Sequence, residues 1–263
     1  MFSIFSILVM LAKEILSLQH PIVKHLVQLR QSKAYREEYR SLLVTGSNVI
    51  KELAQTHRFK RVLLQKGYSA PFPFHSQETI VVTRAIIEKV AALENPEEIV
   101  VEIDQPRPSS LSFKKRVLLL DKISDPGNLG TLLRTALAFG WDGVFVLEGS
   151  VDLFNDKVVR ASKGAIFHLP FACGTENALT QLLNAHPWTL LAASASGQDV
   201  KQWISNDHAP PLLLAIGNES RGLSDFISQQ FTHVALPMKG PIESLNAAVA
   251  GGIFLYLFQG GYG

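Results

Sequence analysis

"RVLLLDKISDPGNLGTLLRTALAFG", residues 116–140, decides the fold. Its opening is a near-continuous apolar run, the pattern of a strand buried on both faces. Asp125, Pro126 and Gly127 then make a turn, and Asn128 is placed to cap a helix starting at Leu129. A buried strand leading directly into a helix is half of a βαβ unit. Apolar runs recur at 143–148, 188–194, 211–217 and 233–237, with helical stretches between them. The expectation is an α/β domain on a parallel sheet, whose ligands bind outside the carboxyl ends of the strands.

Upstream the pattern is shorter in period. Residues 13–40 are polar and helix-like, and strands follow in "SLLVTG" (41–46), "RVLLQKG" (61–67), "TIVVT" (79–83) and "EIVVEI" (98–103). Helices are expected over "NVIKELAQ" (48–55) and "RAIIEKVAAL" (84–93), which makes a small α/β unit. "DQPRPSSLS" (104–112), with two prolines and a run of serines, cannot continue a strand or helix and reads as a linker. The expected domains are therefore 1–106 and 107–263.

The chain has 263 residues, 47% hydrophobic and 18% charged, ample for one large or two ordinary cores. Net charge is only +2, but it is unevenly spread. Between Lys13 and Lys66 stand eleven Lys/Arg against four Glu, whereas Glu78 to Asp104 holds seven acids against two bases. The basic stretch is the candidate surface for a polyanion, with Lys24, Arg30, Lys33, Arg36 and Arg40 as the phosphate contacts. A solvated face with no specific partner is the plain alternative. Cys173 is the single cysteine, so no intramolecular disulfide and no cysteine-rich metal site can form, which suits a reducing cytoplasm. The apolar start "MFSIFSILVMLA" (1–12) has no leading positive charge and is too short to span a membrane; it reads as a docking helix or as extra residues before a truer start.

Three strand ends carry unusual polar sequence. In the first, Arg134 is the only charged side chain between Leu129 and Gly140; alone, it would read as an arginine reaching to water over an apolar stem. The second, "AIGNESRGLS" (215–224), sets Glu219 between Gly217 and Gly222. The third, "GPIESLNAAVAGGIFLY" (240–256), opens with Glu243, Ser244 and Asn246 and then carries Gly251 and Gly252 inside an apolar helix. Each such glycine costs about 1 kcal/mol against alanine, so close approach of another segment is expected there. P-loop, dinucleotide, zinc-protease and Ser/His/Asp patterns are all absent. His168 and His233 adjoin strands and read as hydrogen-bonded structural residues.

"DPGNLGTLLRTA", "NDKVVRASKGAIFHLP", "IGNESRGLS" and "LPMKGPIESLNAAVA", in this order over 116–258, resemble the SpoU (TrmH-like) RNA ribose methyltransferases of the SPOUT class. Residues 15–46 are similar, less strongly, to the small substrate-binding domain that many members carry. The resemblance implies a parallel-sheet domain with a deep trefoil knot, a second copy of the chain as partner, and RNA rather than DNA or membrane as target. It implies S-adenosyl-L-methionine as cofactor, held at Ile216, Gly217, Leu236, Met238 and Leu245, with no metal. It makes Arg134 the central catalytic residue, with Asn128, Glu219, Ser244 and Asn246 arranging it and a ribosomal or transfer RNA. Arginine stays protonated in proteins, so Arg134 either binds a neighbouring phosphate and steadies the developing alkoxide or acts as a base. Lys163 stands where members usually carry a small residue. A catalytically silent RNA-binding or ribosome-assembly protein is the alternative, and the complete polar set argues for the enzyme.

Overall fold

The structure, a computed structural model, describes residues 13–204, 211–242 and 244–259. The apolar stretch 1–12 and Glu243 lie outside the described residues. The chain divides into two compact units: one takes the described residues up to Pro106 with Phe154–Arg160, and the other takes Arg107–Leu153 and the described residues from Ala161 onward.

The first unit runs β1 (Lys13–Ile15), α1 (Pro21–Gln31), α2 (Lys33–Tyr39), β2 (Ser41–Thr45), α3 (Ser47–Leu53), β3 (Arg58–Gln65), β4 (His75–Val82), α4 (Arg84–Ala91) and β5 (Ile99–Asp104). Its sheet has the order β1-β4-β3-β5-β2. β1, β4 and β3 are mutually parallel, and β5 runs antiparallel to both β3 and β2. Val23, Leu26 and Leu29 of α1 and Ile86, Ile87 and Val90 of α4 bury their apolar stripes against Leu43, Leu63, Ile80 and Val100. β1 is three residues long, too short to leave a readable alternation, and so escaped the sequence reading.

A row of charges crosses this otherwise apolar face. Register places Glu102 opposite Arg61, and Arg61 opposite Glu78. Glu102 is 1% exposed; Arg61 donates to it at 2.6 Å and to Glu78 at 3.1 Å, and His25 Nε2 lies 3.3 Å away. Burial alone would raise the Glu102 carboxyl pKa, but the hydrogen bonds from His25 and Arg61 outweigh it and hold the pKa below the ordinary carboxylate range.

After β5 the chain runs β6 (Arg116–Asp121), α5 (Pro126–Ala138), β7 (Gly143–Leu147), α6 (Asp156–Ser162, counted with the first unit as far as Arg160), β8 (Phe171–Gly174), α7 (Glu176–Asn184), β9 (Thr189–Asp199), β10 (Leu212–Gly217), α8 (Asp225–Gln230), β11 (Thr232–Ala235) and α9 (Ala247–Leu257), and all of these strands belong to the second unit's sheet. All its pairings are parallel, in the order β11-β9-β10-β6-β7-β8. From β6 the chain winds outward through β7 and β8, then crosses over to build β9, β10 and β11 on the other side. The winding reverses between β6 and β10, which is where an open α/β sheet holds its ligand. β8, with the sequence "FACG", was missed because its burial is broken after Phe171.

The sequence reading placed the start of α5 three residues too late. Asp125, not Asn128, is the N-cap: its carboxylate accepts the Asn128 N–H at 2.7 Å, and Pro126 takes the first turn. Proline there loses no hydrogen bond, so the helix nucleates at the earlier position. The Asn128 side chain is thereby released for other work.

α9 packs on α5 and also reaches β9 and β10. A methyl at Gly251 would run into Leu132 of α5, whereas one at Gly252 would have room, its nearest neighbour being Thr135 at 3.7 Å. The close approach expected from both glycines is thus required at Gly251 alone. No helix among the described residues is long and apolar enough to cross a membrane.

Candidate active site

Asp121 ends β6 and Gly217 ends β10, directly opposite each other in register. The loops that leave these two residues are tied together. Asn218 Nδ2 donates to the Lys122 carbonyl at 2.7 Å, while Asn218 Oδ1 accepts the N–H groups of Ser220 and Arg221 at 2.9 and 3.0 Å. The Asn218 and Gly222 backbones exchange two hydrogen bonds, and Gly222 takes φ +70° to close the turn.

That turn holds Glu219 out over the β6–α5 loop. Ser124 donates to Glu219 Oε2 through both its N–H (3.3 Å) and its hydroxyl (3.0 Å). Asn128 Nδ2 donates to Glu219 Oε1 at 2.9 Å, and Asn246 Nδ2 donates to Asn128 Oδ1 at 3.0 Å. Asn246 Oδ1 meanwhile caps α9 through the N–H groups of Ala248 and Val249. A carboxylate, two amides and a helix N-terminus therefore form one chain of hydrogen bonds across three distant segments. The amide orientations follow from it, because a carboxylate can only accept. Partial burial works against ionisation of Glu219, but the hydrogen bonds from Asn128 and Ser124 prevail and hold its pKa below the ordinary value.

Beside this chain lies a cavity of about 370 Å³, within the range of small-molecule sites. Ile216, Gly217, Leu236, Met238 and Leu245 all line it, together with Glu219 and Ser244. Ser194, Ser196 and His233 supply polar wall that sequence reasoning did not assign to a site. His233 Nε2 lies 3.2 Å from the Ser228 carbonyl, so it is hydrogen-bonded as expected while also facing the cavity.

Gly217 cannot carry a side chain: a methyl there would sit 2.7 Å from the Gly222 carbonyl and 2.8 Å from the Leu223 nitrogen, backbone atoms that cannot swing aside. Gly217→Ala should destabilise the second unit by about 1–3 kcal/mol, the usual range for forced overpacking, measured by urea titration.

Arg134 stands apart from the hydrogen-bond chain. It is exposed on α5, does not line the cavity, and has no hydrogen bond or ion pair among the described residues. Its guanidinium is free to take an external anion. Lys163 is also exposed; it follows α6 with φ +50° and precedes Gly164 at φ +88°.

Asp121 is a buried acid that no motif drew attention to. Its Oδ2 accepts the Ser224 N–H at 2.6 Å, but its Oδ1 and the Ser224 hydroxyl have no hydrogen-bond partner among the described residues. Burial pushes its pKa up despite Ser224. A raised pKa means the group favours folding at low pH and opposes it as pH rises through the folded value. Asp121→Asn should therefore raise stability above pH 7 by up to about 1 kcal/mol, the gain of a neutral hydrogen bond, with the difference vanishing on acidification. Thermal melts at pH 5 and pH 8 measure it.

The basic residues of the first unit are not equivalent. Lys24, Lys33 and Arg40 are exposed and Arg30 is half-buried. Arg36 corrects the expectation: it is 3% exposed, and its guanidinium donates to the carbonyls of Leu29 (2.7 Å) and Arg30 (3.0 Å). It closes the carboxyl end of α1 instead of meeting a phosphate.

The sequence profile described as the SpoU rRNA Methylase family matches residues 115–256, more than half of the chain. The chain belongs to the SpoU rRNA methylase family. Among its relatives is the 23S rRNA (guanosine(2553)-2′-O)-methyltransferase RlmP of Bacillus subtilis, 29% identical over 94% of this chain and 100% of its own length. Two solved family structures contain S-adenosylmethionine. The rRNA methyltransferase of Sinorhizobium meliloti superposes with a TM-score of 0.79 at 28% identity, over 94% of this chain and 97% of its own. The SpoU methyltransferase AviRb of Streptomyces viridochromogenes gives 0.81 at 25% identity, over 91% and 97%.

Proposed function

We infer that this chain is an S-adenosylmethionine-dependent methyltransferase that methylates a ribose 2′-hydroxyl in ribosomal or transfer RNA. The observation that carries the reading is the joining of Asn128, Glu219 and Asn246, from three distant segments, at the edge of a cavity in a SpoU family member.

The cavity suits the cofactor's chemistry. Ile216, Leu236, Met238 and Leu245 offer an apolar slot for a purine, and Gly217, whose lack of a side chain lets the Gly222 turn close against it, lines the same slot. When bound, S-adenosylmethionine supplies an electrophilic methyl group on a sulfonium. A ribose hydroxyl is a weak nucleophile, so the protein has to align it and manage its proton. Arg134 binds the adjoining phosphate and stabilises the oxygen as its proton passes to that phosphate and the methyl leaves the sulfonium, releasing S-adenosylhomocysteine; a guanidinium is a poor base but a good two-pronged anion ligand. Glu219 fixes Asn128, Asn128 holds Asn246, and with Ser244 they position the sugar, while Arg134, which touches none of them in this chain, acts from outside the network.

The deep trefoil knot belongs to this reading. Its support is the family membership and the crossover order of β9, β10 and β11. A homodimer belongs to it too, supported by Val249 and Tyr256, 53% and 50% exposed on the outer side of α9. Lys24, Arg30, Lys33 and Arg40 of the first unit engage RNA phosphates. The single cysteine is consistent with a cytoplasmic enzyme.

Isothermal titration with S-adenosylhomocysteine tests the assignment. Saturable binding is expected. No binding at millimolar concentration would favour the catalytically silent RNA-binding protein.

A further inference from the structure

The charge row of the first unit ends in an aromatic stack. His25, held at Nε2 by buried Glu102, meets the Tyr35 hydroxyl through Nδ1 at 2.9 Å. Tyr35 stacks on Tyr39 with ring centroids 4.4 Å apart at an interplanar angle of 25°, and the His25 ring sets its edge against Tyr39 at 5.0 Å. Two of these three rings are largely covered, yet Tyr39 is 44% exposed. A cluster that served only to stabilise the fold would gain most by burying both tyrosine rings. Here a buried ionic row instead braces a tyrosine that stays exposed.

The backbone under that ring is clamped as well. Lys60 Nζ donates to the Tyr39 carbonyl at 3.2 Å and to the Ser41 hydroxyl at 2.6 Å, and it pairs with Asp104 at 2.9 Å. Two cations near it in the chain are paired, Lys33 with Glu37 at 3.8 Å and Lys60 with Asp104. Charge therefore does not specify what meets Tyr39, and the flat, pre-oriented ring does. Unpaired bases stack on such rings whatever their sequence, whereas bases inside a duplex cannot reach one.

We propose that Tyr39, braced by Tyr35 and His25, is a stacking platform for an unpaired nucleobase of the substrate RNA. This rests on the reading that the first unit contacts RNA, and it narrows the substrate to RNA with a single-stranded or flipped-out base near that contact.

The test compares binding of the full-length chain to a 20-nucleotide oligoadenylate and to a 20-base-pair RNA duplex over a range of salt. Tyr39→Ala and Tyr39→Leu should each weaken oligoadenylate binding by about fivefold or more, the lower end of the loss of one stacked base, with duplex binding unchanged. Tyr39→Phe should bind within about twofold of wild type, because the ring face is retained. The salt dependence should stay the same in all three, since a stacked base releases no counterion, whereas Lys24→Gln should flatten it by about 0.7 on the logarithmic scale if it engages one phosphate. Wild-type-like oligoadenylate binding by Tyr39→Leu, or equal losses on both probes, would overturn the platform while leaving the RNA-contact reading intact. If wild type bound neither probe, the RNA-contact reading would fall and the platform with it.

Discussion

Replacing Arg134 by alanine is expected to lower methyl transfer by about 10²–10³-fold, the effect of removing one donor aimed at developing negative charge. Affinity for S-adenosylhomocysteine should hold within about twofold, because the side chain stands outside the cavity and the loss falls on the transition state. The absence of any partner for Arg134 among the described residues gives the prediction its force: the substitution orphans nothing inside the protein, so the fold should melt as before. Arg134→Lys separates the two chemical roles. A lysine keeps the charge but not the planar fork, so it should recover only part of the rate. Near-normal turnover by the lysine variant would rule out a role that needs the fork. The assay is transfer of labelled methyl groups to RNA under single-turnover conditions.

Glu102→Ala should destabilise the first unit by about 3 kcal/mol, because it leaves Arg61 and His25 facing a buried gap where a paired carboxylate stood. Glu102 has a lowered pKa in the folded chain, so it binds fewer protons there than when unfolded. Its stabilising contribution is complete above the ordinary carboxylate pKa and is lost as pH falls through the folded value. Wild type and Glu102→Ala should accordingly differ most at neutral pH and converge in acid. A difference that grew on acidification would contradict the assigned direction. Denaturant titrations at a series of pH values provide the measurement.

Much of the fold was legible because its signals are local. The apolar runs beginning at Arg116, Gly143 and Leu212 are long enough to declare buried strands, and Pro106 and Pro108 mark the break before them. What failed to show is what depends on distant partners. Asn128 looked like a helix cap because asparagine often is one; only the folded chain shows Asp125 in that place and the Asn128 amide turned to Glu219. Arg36 looked like its basic neighbours, but the turn between α1 and α2 folds it under the carboxyl end of α1. Ser124 and Asn218, which hold Glu219 and its turn, carry no signal of their own. Glu102 did leave a trace, as a charge inside the apolar run "EIVVEI", and a carboxylate there announces a buried partner. Of the two glycines in α9, spacing could not tell which one met a neighbour, and Gly251 does.

The proposed reaction joins a methyl group to a ribose oxygen, and that bond can be read out directly. Ribosomal and transfer RNA from cells lacking the gene would be incubated with the purified chain and S-adenosylmethionine, then subjected to alkaline hydrolysis, which cannot cut beside a blocked 2′-hydroxyl. One or a few new alkali-resistant positions, absent with the Arg134→Ala protein, are the predicted result. Methyl incorporation into bases with no new resistant position, or no incorporation by a chain that binds S-adenosylhomocysteine, would contradict the account.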